Sequence, residues 1–385
     1  MERKLRMGMI GGGRGAFIGA VHRMAASIDG LIEMKAGAFS SHPEVSKATG
    51  KDLHLPENRV YPDYKTMFEQ EKKLPAGERI DFVSIVTPNF AHFDPAMMAL
   101  ENGFHVVLEK PMTFNLEEAI QLQKKVKETG LILCLTHTYS GYPMVKEAKY
   151  LIKNGAIGKV RKIMVEYIQG WLSKVEEKSG NVQASWRTDP KKSGAAGCMG
   201  DIGTHAAHLA EYVSGLKIEK LCADLNTVVP GRALDDDGNV LLKFEDNVSG
   251  TLVATQIAAG EENNLTLRIY GEKGGLEWHQ MEPNTLLLKH LDKPAEILRT
   301  GGGNLSSFAK ANTRTPGGHP EGYLEAFANL YRNFALTLNA RFDGNEPTPE
   351  MLDFPTVEDG VRGMAFVENV VASSKNGKSW KDFEI

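Results

Sequence analysis

A glycine-rich turn near the start of the chain has the composition and position of a phosphate-binding loop. The turn Gly11-Gly12-Gly13-Arg14-Gly15-Ala16-Phe17-Ile18-Gly19 follows the apolar run Leu5–Ile10 and opens a segment compatible with a helix. Glycines let the backbone approach a pyrophosphate closely, and the N–H groups at the start of a helix attract its negative charge. The pattern predicts a dinucleotide site formed by Gly11, Gly13, Arg14, Gly15, Ala16 and Phe17.

Two features of this predicted site stay open at the level of the sequence. Counted from Gly11 and Gly13, the G-x-G-x-x-G pattern of dinucleotide-binding turns places Ala16 at the position of the third glycine. A longer turn would place Gly19 at that position. After the second apolar run, Ser40 and Ser41 stand where an Asp or Glu usually holds the ribose hydroxyls of NAD. Without that carboxylate a 2′-phosphate is not repelled. The turn therefore either binds NADP through these serines or accepts both forms of the cofactor.

The elements that must position this loop form a repeating pattern up to about residue 137. Short apolar runs rich in Val and Ile alternate with longer segments of helical period. The runs are Leu5–Ile10, Ile32–Phe39, Phe82–Val86, His105–Glu109 and Leu131–Leu135. Apolar runs separated by helices are typical of a parallel sheet covered on both faces. The pattern predicts an α/β fold with a doubly wound Rossmann domain over residues 1–140 that binds NAD or NADP.

Beyond about residue 160 the pattern changes to alternating runs separated by turn signals. The runs are Lys162–Gln169, Lys217–Val229, Asn239–Phe244, Ser249–Ile257, Leu265–Tyr270 and Leu286–His290. They predict a second, α+β domain over residues 141–385, with a large, open and mostly antiparallel sheet. Helices at about 200–214, 321–339 and 357–374 would cover the other face of this sheet or pack back on the first domain. The segment Thr300–Pro320 has no hydrophobic period and is predicted to be a loop, either a lid or disordered, and its position just ahead of a helix favours a lid.

Composition and charge narrow the classes of function. The 385 residues, 42% hydrophobic and 24% charged, suit two globular domains. The net charge is −4 and no basic stripe occurs, which argues against nucleic acid or an anionic membrane as partner. The apolar runs are too short to cross a bilayer. Three cysteines without a C-x-x-C pair argue against a disulfide framework and a cysteine-built metal site, and favour a cytoplasmic setting.

Further motifs give the chain a resemblance to a known family. They are Thr87-Pro88-Asn89-Phe90-Ala91-His92, Glu109-Lys110-Pro111, and Trp186-Arg187-Thr188-Asp189-Pro190 running on to Gly200-Asp201-Ile202-Gly203-Thr204-His205. Together with the glycine turn, and in this order, they resemble the glucose–fructose oxidoreductase, inositol dehydrogenase and MocA-like family of sugar and polyol dehydrogenases. The resemblance covers roughly the first 215 residues motif by motif and the remainder by architecture.

The resemblance implies both a cofactor site and a catalytic set. Cofactor contacts are expected from Thr87, Pro88, Asn89, His92, Glu109, Lys110 and Pro111. The catalytic candidates are Lys110, Asp201 and His205. Removal of a hydride from an alcohol carbon requires a base for the hydroxyl proton, and histidine suits that role near neutral pH. A spacing of four places Asp201 and His205 on one face of a helix, where the carboxylate can orient the imidazole.

Weaker substrate candidates are His137 and Tyr139, which follow the last strand of the first domain. Trp186 and Arg187 either brace the turn into the catalytic helix or line the sugar pocket. His319 either reaches a substrate hydroxyl or caps the next helix. No metal is expected, because nothing supplies further ligands beside Asp201, His205 and the nearby His208.

The expected activity is hydride transfer between NAD or NADP and a secondary hydroxyl of a cyclic polyol or sugar. One alternative is a lyase or hydrolase that uses a tightly bound NAD transiently. Another is a non-catalytic regulator that senses NAD(P). The partner is then a small sugar or polyol molecule, and a homodimer or homotetramer is expected to form through the open sheet.

Overall fold

The computed structural model describes residues 3–385, which form two compact units. The first unit combines the chain up to Thr138 with Tyr323–Val361, and the second combines Tyr139–Gly322 with Arg362–Ile385. Met1 and Glu2, the first residues of the predicted Rossmann domain, lie outside the described residues.

A parallel sheet forms the centre of the first unit. Its strands in the described chain are β1 (Leu5–Gly11), β2 (Ile32–Ala38), β3 (Phe82–Val86), β4 (His105–Leu108) and β5 (Leu133–Leu135). They lie in the order β2-β1-β3-β4-β5, and all neighbours are parallel. Every residue of β3, β4 and β5 is buried, which explains why these strands are continuous apolar runs rather than alternating ones. The predicted doubly wound sheet is confirmed.

The helices of the first unit follow the strands. They are α1 (Phe17–Ile28), α2 (Pro43–Asp52), α3 (Tyr64–Glu71), α4 (Phe93–Glu101) and α5 (Leu116–Thr129). The side chain of Asn115 accepts a hydrogen bond from the N–H of Glu118 and so caps α5, which ends at Gly130 in the left-handed region.

A helix from late in the chain completes the core of the first unit. Helix α11 (Tyr323–Phe342) packs against α1 and buries Phe327, Tyr331 and Phe334 among the side chains of β1 and β3. Of the two placements open at the level of the sequence, this helix takes the one on the first unit. Helix α12 (Val357–Lys375) begins in the first unit and continues in the second.

The second unit is built on a large sheet. Among residues 3–385 its strands are β6 (Val160–Ile168), β7 (Ile218–Asn226), β8 (Asp237–Phe244), β9 (Val248–Thr255), β10 (Asn264–Gly271), β11 (Gly274–His279), β12 (Thr285–His290), β13 (Glu296–Arg299) and β14 (Lys381–Asp382). They lie in the order β13-β12-β11-β10-β6-β9-β8-β7-β14. All neighbours are antiparallel except β6 and β9. The mostly antiparallel sheet is confirmed. Strands β11, β13 and β14 were not predicted, because they are short and rich in glycine or charged residues.

The helices of the second unit include the segment that carries two catalytic candidates. They are α6 (Pro143–Lys153), α7 (Val182–Arg187), α8 (Pro190–Ser193), α9 (Thr204–Ser214) and α10 (Ser307–Ala311). A π-helical turn, Met199–Gly203, runs directly into α9, which packs on β6, β9 and β10. In the described part of the chain, no helix combines the length and apolar character needed to cross a membrane.

The segment Thr300–Pro320 is not a continuous loop. It contains α10, buries Leu305 and Ala309, and donates two hydrogen bonds from Ser306 to the carboxylate of Glu147. The carboxylate of Glu321 accepts the backbone N–H groups at the far end of the segment. Local polar anchors therefore replace the hydrophobic period whose absence predicted a loop, and the segment contains a short helix that was not predicted.

Candidate functional site

The first candidate site lies at the carboxyl edge of the parallel sheet. The strand order reverses between β1 and β3, and ligands of open α/β sheets bind at such a switch point. Gly11 pairs with Val86 at the ends of these two strands. A Cβ on Gly11 would lie 3.0 Å from the Cγ2 of Thr87, and its φ is +81°, so only glycine fits there without strain. The glycine turn and the Thr87 loop thus form the two sides of a crevice.

The glycine turn packs closely against the first turn of α1. A Cβ on Gly19 would lie only 2.4 Å from the Cα of Gly12, so Gly19 has the helix-packing role of the third glycine. Ala16 is instead the N-cap residue of α1 and supplies no side-chain acceptor to the N–H groups of the first turn. The open choice between the two counts is resolved in favour of Gly19. No side-chain cap bonds to the first N–H groups of α1, and an anion bound at the start of this helix could accept from them.

Polar groups fix the two loops that could hold the adenosine end of a dinucleotide. The backbone N–H of Arg14 donates to Thr49 Oγ1 at 3.1 Å, and its guanidinium makes a bidentate ion pair with Asp52 at 2.6 and 2.7 Å. Ser40 Oγ accepts from the N–H of His42, while Ser41 is exposed. Thr49 and Asp52 were missed at the level of the sequence, because nothing local indicates that α2 approaches the glycine turn.

His92 joins the loop after β3 to the loop after β4. Its ring is buried, with Nε2 2.7 Å from the carbonyl oxygen of Thr87 and Nδ1 2.9 Å from that of Pro111. Burial lowers the pKa of His92. The Lys110–Pro111 peptide is cis. The side chain of Glu109 is also buried.

A second candidate site lies in the second unit around Asp201, which sits in the π-helical turn. Its Oδ2 accepts hydrogen bonds from Arg187 Nε at 3.1 Å and from Gln256 Nε2 at 2.9 Å. The guanidinium of Arg187 stacks on the ring of Trp186, with 4.2 Å between its central carbon and the ring centroid. Arg187 therefore braces the turn that carries Asp201, which was one of its two expected roles.

A buried carboxylate anchors the start of this turn. Asp235, on the approach to β8, accepts from the N–H of Gly197 at 2.6 Å, from the N–H of Met199 at 2.9 Å and from the thiol of Cys198 at 3.2 Å. Burial raises the pKa of both Asp235 and Cys198. These bonds fix the backbone that leads into Asp201. The sequence gives little signal for this role, because Asp235 is one of three consecutive aspartates.

Two tyrosines surround the imidazole of His205. The ring centroids of Tyr139 and Tyr167 lie 4.9 and 6.2 Å from that of His205, both edge-on. The two tyrosine hydroxyls bond to each other. Asn263 Oδ1 accepts from Tyr167 at 2.7 Å and Asn263 Nδ2 donates to Tyr139 at 3.1 Å. Burial raises the pKa of the Tyr139 hydroxyl, so it stays a neutral hydrogen-bonding group.

One polar chain connects the surroundings of Asp201 and His205. Gln169 Nε2 donates to Asn263 Oδ1 at 2.7 Å, while Gln169 Oε1 accepts from Trp171 at 3.0 Å and Gln256 at 3.3 Å. These four residues were not predicted. They follow β6 and β9 or precede β10, where three neighbouring strands reach the same edge of the sheet. A polar residue at that edge was the available signal, but it requires the strand order to be known.

The remaining candidates are distributed over both units. Lys110 and the buried His137 belong to the first unit, whereas Asp201, His205 and Tyr139 belong to the second. His319 is exposed, and its Nδ1 lies 3.2 Å from the carbonyl oxygen of Pro316. His208 stacks on Tyr212. Over residues 3–385, no group of three or more His, Cys, Asp or Glu side chains is arranged to hold a metal ion.

Comparison with known proteins matches two family models to the chain. Residues 5–137 match the oxidoreductase family described by its NAD-binding Rossmann fold, and residues 145–277 match the GFO/IDH/MocA C-terminal domain. The uncharacterized oxidoreductase YfiI of Bacillus subtilis is 33% identical over 100% of this chain and 98% of its own length. Levoglucosan dehydrogenase of Pseudarthrobacter phenanthrenivorans is 27% identical over 71% of this chain and 73% of its own.

A solved structure is similar to this chain over its full length. The inositol dehydrogenase homolog of Azotobacter vinelandii complexed with NAD⁺ has a TM-score of 0.94 and 34% identity, covering 100% of this chain and 98% of that one. Its complex with NADH and myo-inositol has a TM-score of 0.91 at 33% identity, again with 100% and 98% coverage. The glycine turn of the first unit fits the dinucleotide of such a domain, and this chain belongs to the Gfo/Idh/MocA family of NAD-binding oxidoreductases.

Proposed function

We propose that this oxidoreductase oxidises a secondary hydroxyl of a cyclic polyol or sugar with NAD or NADP, or catalyses the reverse reduction. The observation that carries the proposal is the polar chain of the second unit, which places several hydroxyl-binding groups around Asp201 and His205. A set of buried and half-buried amide, phenol and carboxylate groups suits a ligand with several hydroxyls, because each hydroxyl both donates and accepts.

The proposed proton path uses His205 as the base. It takes the proton of the reacting hydroxyl, while Arg187 and Gln256 keep the Asp201 carboxylate oriented toward its ligand. Lys110 is the group proposed to polarise the substrate oxygen. A bound nicotinamide supplies the hydride acceptor.

The proposed substrate class follows from the same groups and from the relatives. The solved homolog binds myo-inositol and a curated relative is named for levoglucosan, and both compounds are ring compounds that carry secondary hydroxyls. In this chain Tyr139, Gln169 and Asn263 are the side chains that we expect to select among them. Trp186, His137 and His319 are proposed as further, weaker substrate contacts.

The test is a nicotinamide reduction assay with purified protein, NAD and NADP separately, and a panel of inositols, aldoses and glycosides. We expect turnover with one class of compound and a loss of at least about 100-fold in kcat for His205→Ala, the size of a general-base contribution. His54→Asn is the matched control, since it removes an exposed histidine of the first unit at a φ of +54° that asparagine tolerates.

Three results would contradict the proposal. Normal turnover by His205→Ala would remove the assigned base. Turnover of a sugar with no net change in nicotinamide, together with cofactor carried through purification, would favour transient oxidation followed by elimination or hydrolysis. Binding of NADH without turnover of any compound on the panel would favour a regulator that senses the nucleotide.

We also propose that the protein is a homodimer or homotetramer that pairs through the open face of the large sheet. On that face Leu241 is 51% exposed and lies beside Thr251 and Val253 of the neighbouring strand. Exposed apolar side chains that adjoin one another on a sheet face favour a subunit contact.

A further inference from the structure

A buried polar cluster lies directly behind Lys110 in the first unit. It joins side chains from α1, β3, α11 and the ends of β4 and β5, and all are between 0% and 8% exposed. Its members are His22, Ser84, Glu109, Thr136 and Tyr331. Polar groups so deeply buried destabilise a fold unless each is hydrogen-bonded, so their arrangement is a specific one.

Glu109 is the centre of the cluster. Its Oε1 accepts from His22 Nε2 at 2.9 Å and from Thr136 Oγ1 at 2.7 Å, and its Oε2 accepts from the backbone N–H of Lys110 at 3.1 Å. Burial opposes ionisation of this carboxyl, but the hydrogen bond and charge of His22, with the charge of Lys110, hold its pKa at about 2. Glu109 is therefore a carboxylate whose two oxygens face in different directions, one to the core and one to Lys110.

His22 is held from both sides. Because a carboxylate only accepts, Nε2 of His22 must carry the hydrogen that it shares with Glu109. Its Nδ1 lies 2.6 Å from the hydroxyl of Tyr331 and 3.1 Å from Ser84 Oγ, and those two hydroxyls lie 2.8 Å apart. The ring can neither rotate nor exchange its nitrogens without breaking several of these contacts.

We propose that His22 is a positioning residue for Lys110. It fixes the Glu109 carboxylate so that the second oxygen holds the Lys110 N–H, and thereby sets the backbone from which the lysine side chain is presented. The inference rests on the proposed function in one respect, namely that Lys110 acts on the substrate oxygen.

The position of His22 gives this link a second consequence. His22 lies on α1, whose first turn packs on the glycine loop through Gly19. A single rigid helix therefore carries both the dinucleotide-binding turn and the support of Lys110. We expect this arrangement to keep the lysine in register with the cofactor, without any contact between His22 and either ligand.

The variants His22→Leu and His22→Gln separate positioning from packing. Leucine fills the space but donates nothing to Glu109, whereas a glutamine amide can return the donor at the place of Nε2. We expect His22→Leu to lower kcat at least 10-fold while the KM for substrate and the Kd for NADH change less than threefold. We expect His22→Gln to recover most of the loss.

Tyr61→Phe is the matched control for stability. Tyr61 donates to the buried carboxylate of Glu71 at 2.9 Å in the same unit, so this variant also removes one donor from a buried carboxylate. We expect it to lower the Tm but to keep kcat within twofold. Equal losses of kcat in Tyr61→Phe and His22→Leu, or an unchanged kcat in His22→Leu, would overturn the proposal.

Amide hydrogen exchange provides a readout that needs no substrate. Exchange of a peptide covering Lys110 is expected to be faster in His22→Leu than in the unsubstituted protein and to return toward its rate in His22→Gln. Unchanged exchange overturns the inference even if the enzyme is active. Faster exchange in a protein that lacks dehydrogenase turnover leaves the positioning contact valid and refutes the proposed function instead.

Discussion

Replacing Gly19 by alanine tests the geometry of the dinucleotide site. The new Cβ would lie 2.4 Å from the Cα and 2.7 Å from the carbonyl oxygen of Gly12. Two nonbonded carbon atoms attract each other best at a separation of about 3.5–4.0 Å, so α1 and the glycine turn must move apart by about 1 Å. Both neighbouring atoms are backbone, and no side-chain rotation relieves the clash. Overpacking of this kind costs about 1–3 kcal/mol of folding free energy.

The same displacement moves the N–H groups of the first turn of α1 away from the pyrophosphate. A loss of about 1.4–2.8 kcal/mol in binding corresponds to a Kd for NADH that is about 10–100-fold higher. NADH fluorescence titration measures this, and urea unfolding measures the loss of stability. Gly77→Ala is the control, because no atom lies within 4 Å of its new Cβ and its φ is not in the left-handed region.

Gly15→Ala separates a steric clash from backbone strain. Its φ is +81° but nothing lies within 4 Å of the new Cβ, so we expect a cost of about 1–2 kcal/mol without the clash. If Gly19→Ala binds NADH as tightly as Gly77→Ala does, the assignment of Gly19 as the packing glycine is refuted.

Four other predictions concern the rest of the chain. Ser41→Asp is expected to raise the KM for NADP at least 10-fold and that for NAD less than threefold, since a carboxylate repels the 2′-phosphate; equal changes in steady-state kinetics would contradict this. Asp235→Ala leaves the buried N–H groups of Gly197 and Met199 without their acceptor, so the free energy of unfolding in urea should fall by about 2–5 kcal/mol and kcat should also fall. Full activity of this variant would exclude the anchoring role. Leu241→Lys should reduce the sedimenting mass at micromolar concentration, and an unchanged mass would place the subunit contact elsewhere. Because the pKa of Glu109 is about 2 in the folded state instead of 4.5, its ionisation stabilises the fold by about 3 kcal/mol above pH 4.5, and this stabilisation is lost as the pH falls toward 2. Glu109→Gln should therefore be less stable at pH 7, and its free energy of unfolding should depend less on pH in the acid range. An unchanged pH dependence would show that this carboxylate is not responsible.

The sequence predicted best the elements whose burial is uniform along a strand. Strands such as β3 and β4 are buried on both faces, so the apolar runs in the sequence predicted the bounds of these strands to within one residue. Strands β13 and β14 have no such signal, because they lie at the edges of the sheet and expose most of their residues.

The candidate site could be predicted only where a motif is local. Lys110, Asp201 and His205 were found because the family motifs lie within a few residues of each other. Gln169 and Asn263 are 94 residues apart and meet only because β6 and β10 are neighbours in the sheet. The support of Lys110 by His22 likewise depends on a contact between α1 and the end of β4, which no local pattern encodes.

The return of α11 to the first unit sets the order in which that unit can be completed during synthesis. Phe327, Tyr331 and Phe334 fill the core beside β1 and β3, yet roughly 200 residues separate the end of β5 from the end of this helix. At about 5–20 residues per second, the ribosome needs about 10–40 s to deliver the missing helix. During that interval the nascent nucleotide-binding unit exposes the apolar surface that these aromatic side chains later cover. A fragment ending near residue 140 would keep that surface exposed permanently, so an autonomous nucleotide-binding fragment must include Tyr323–Val361.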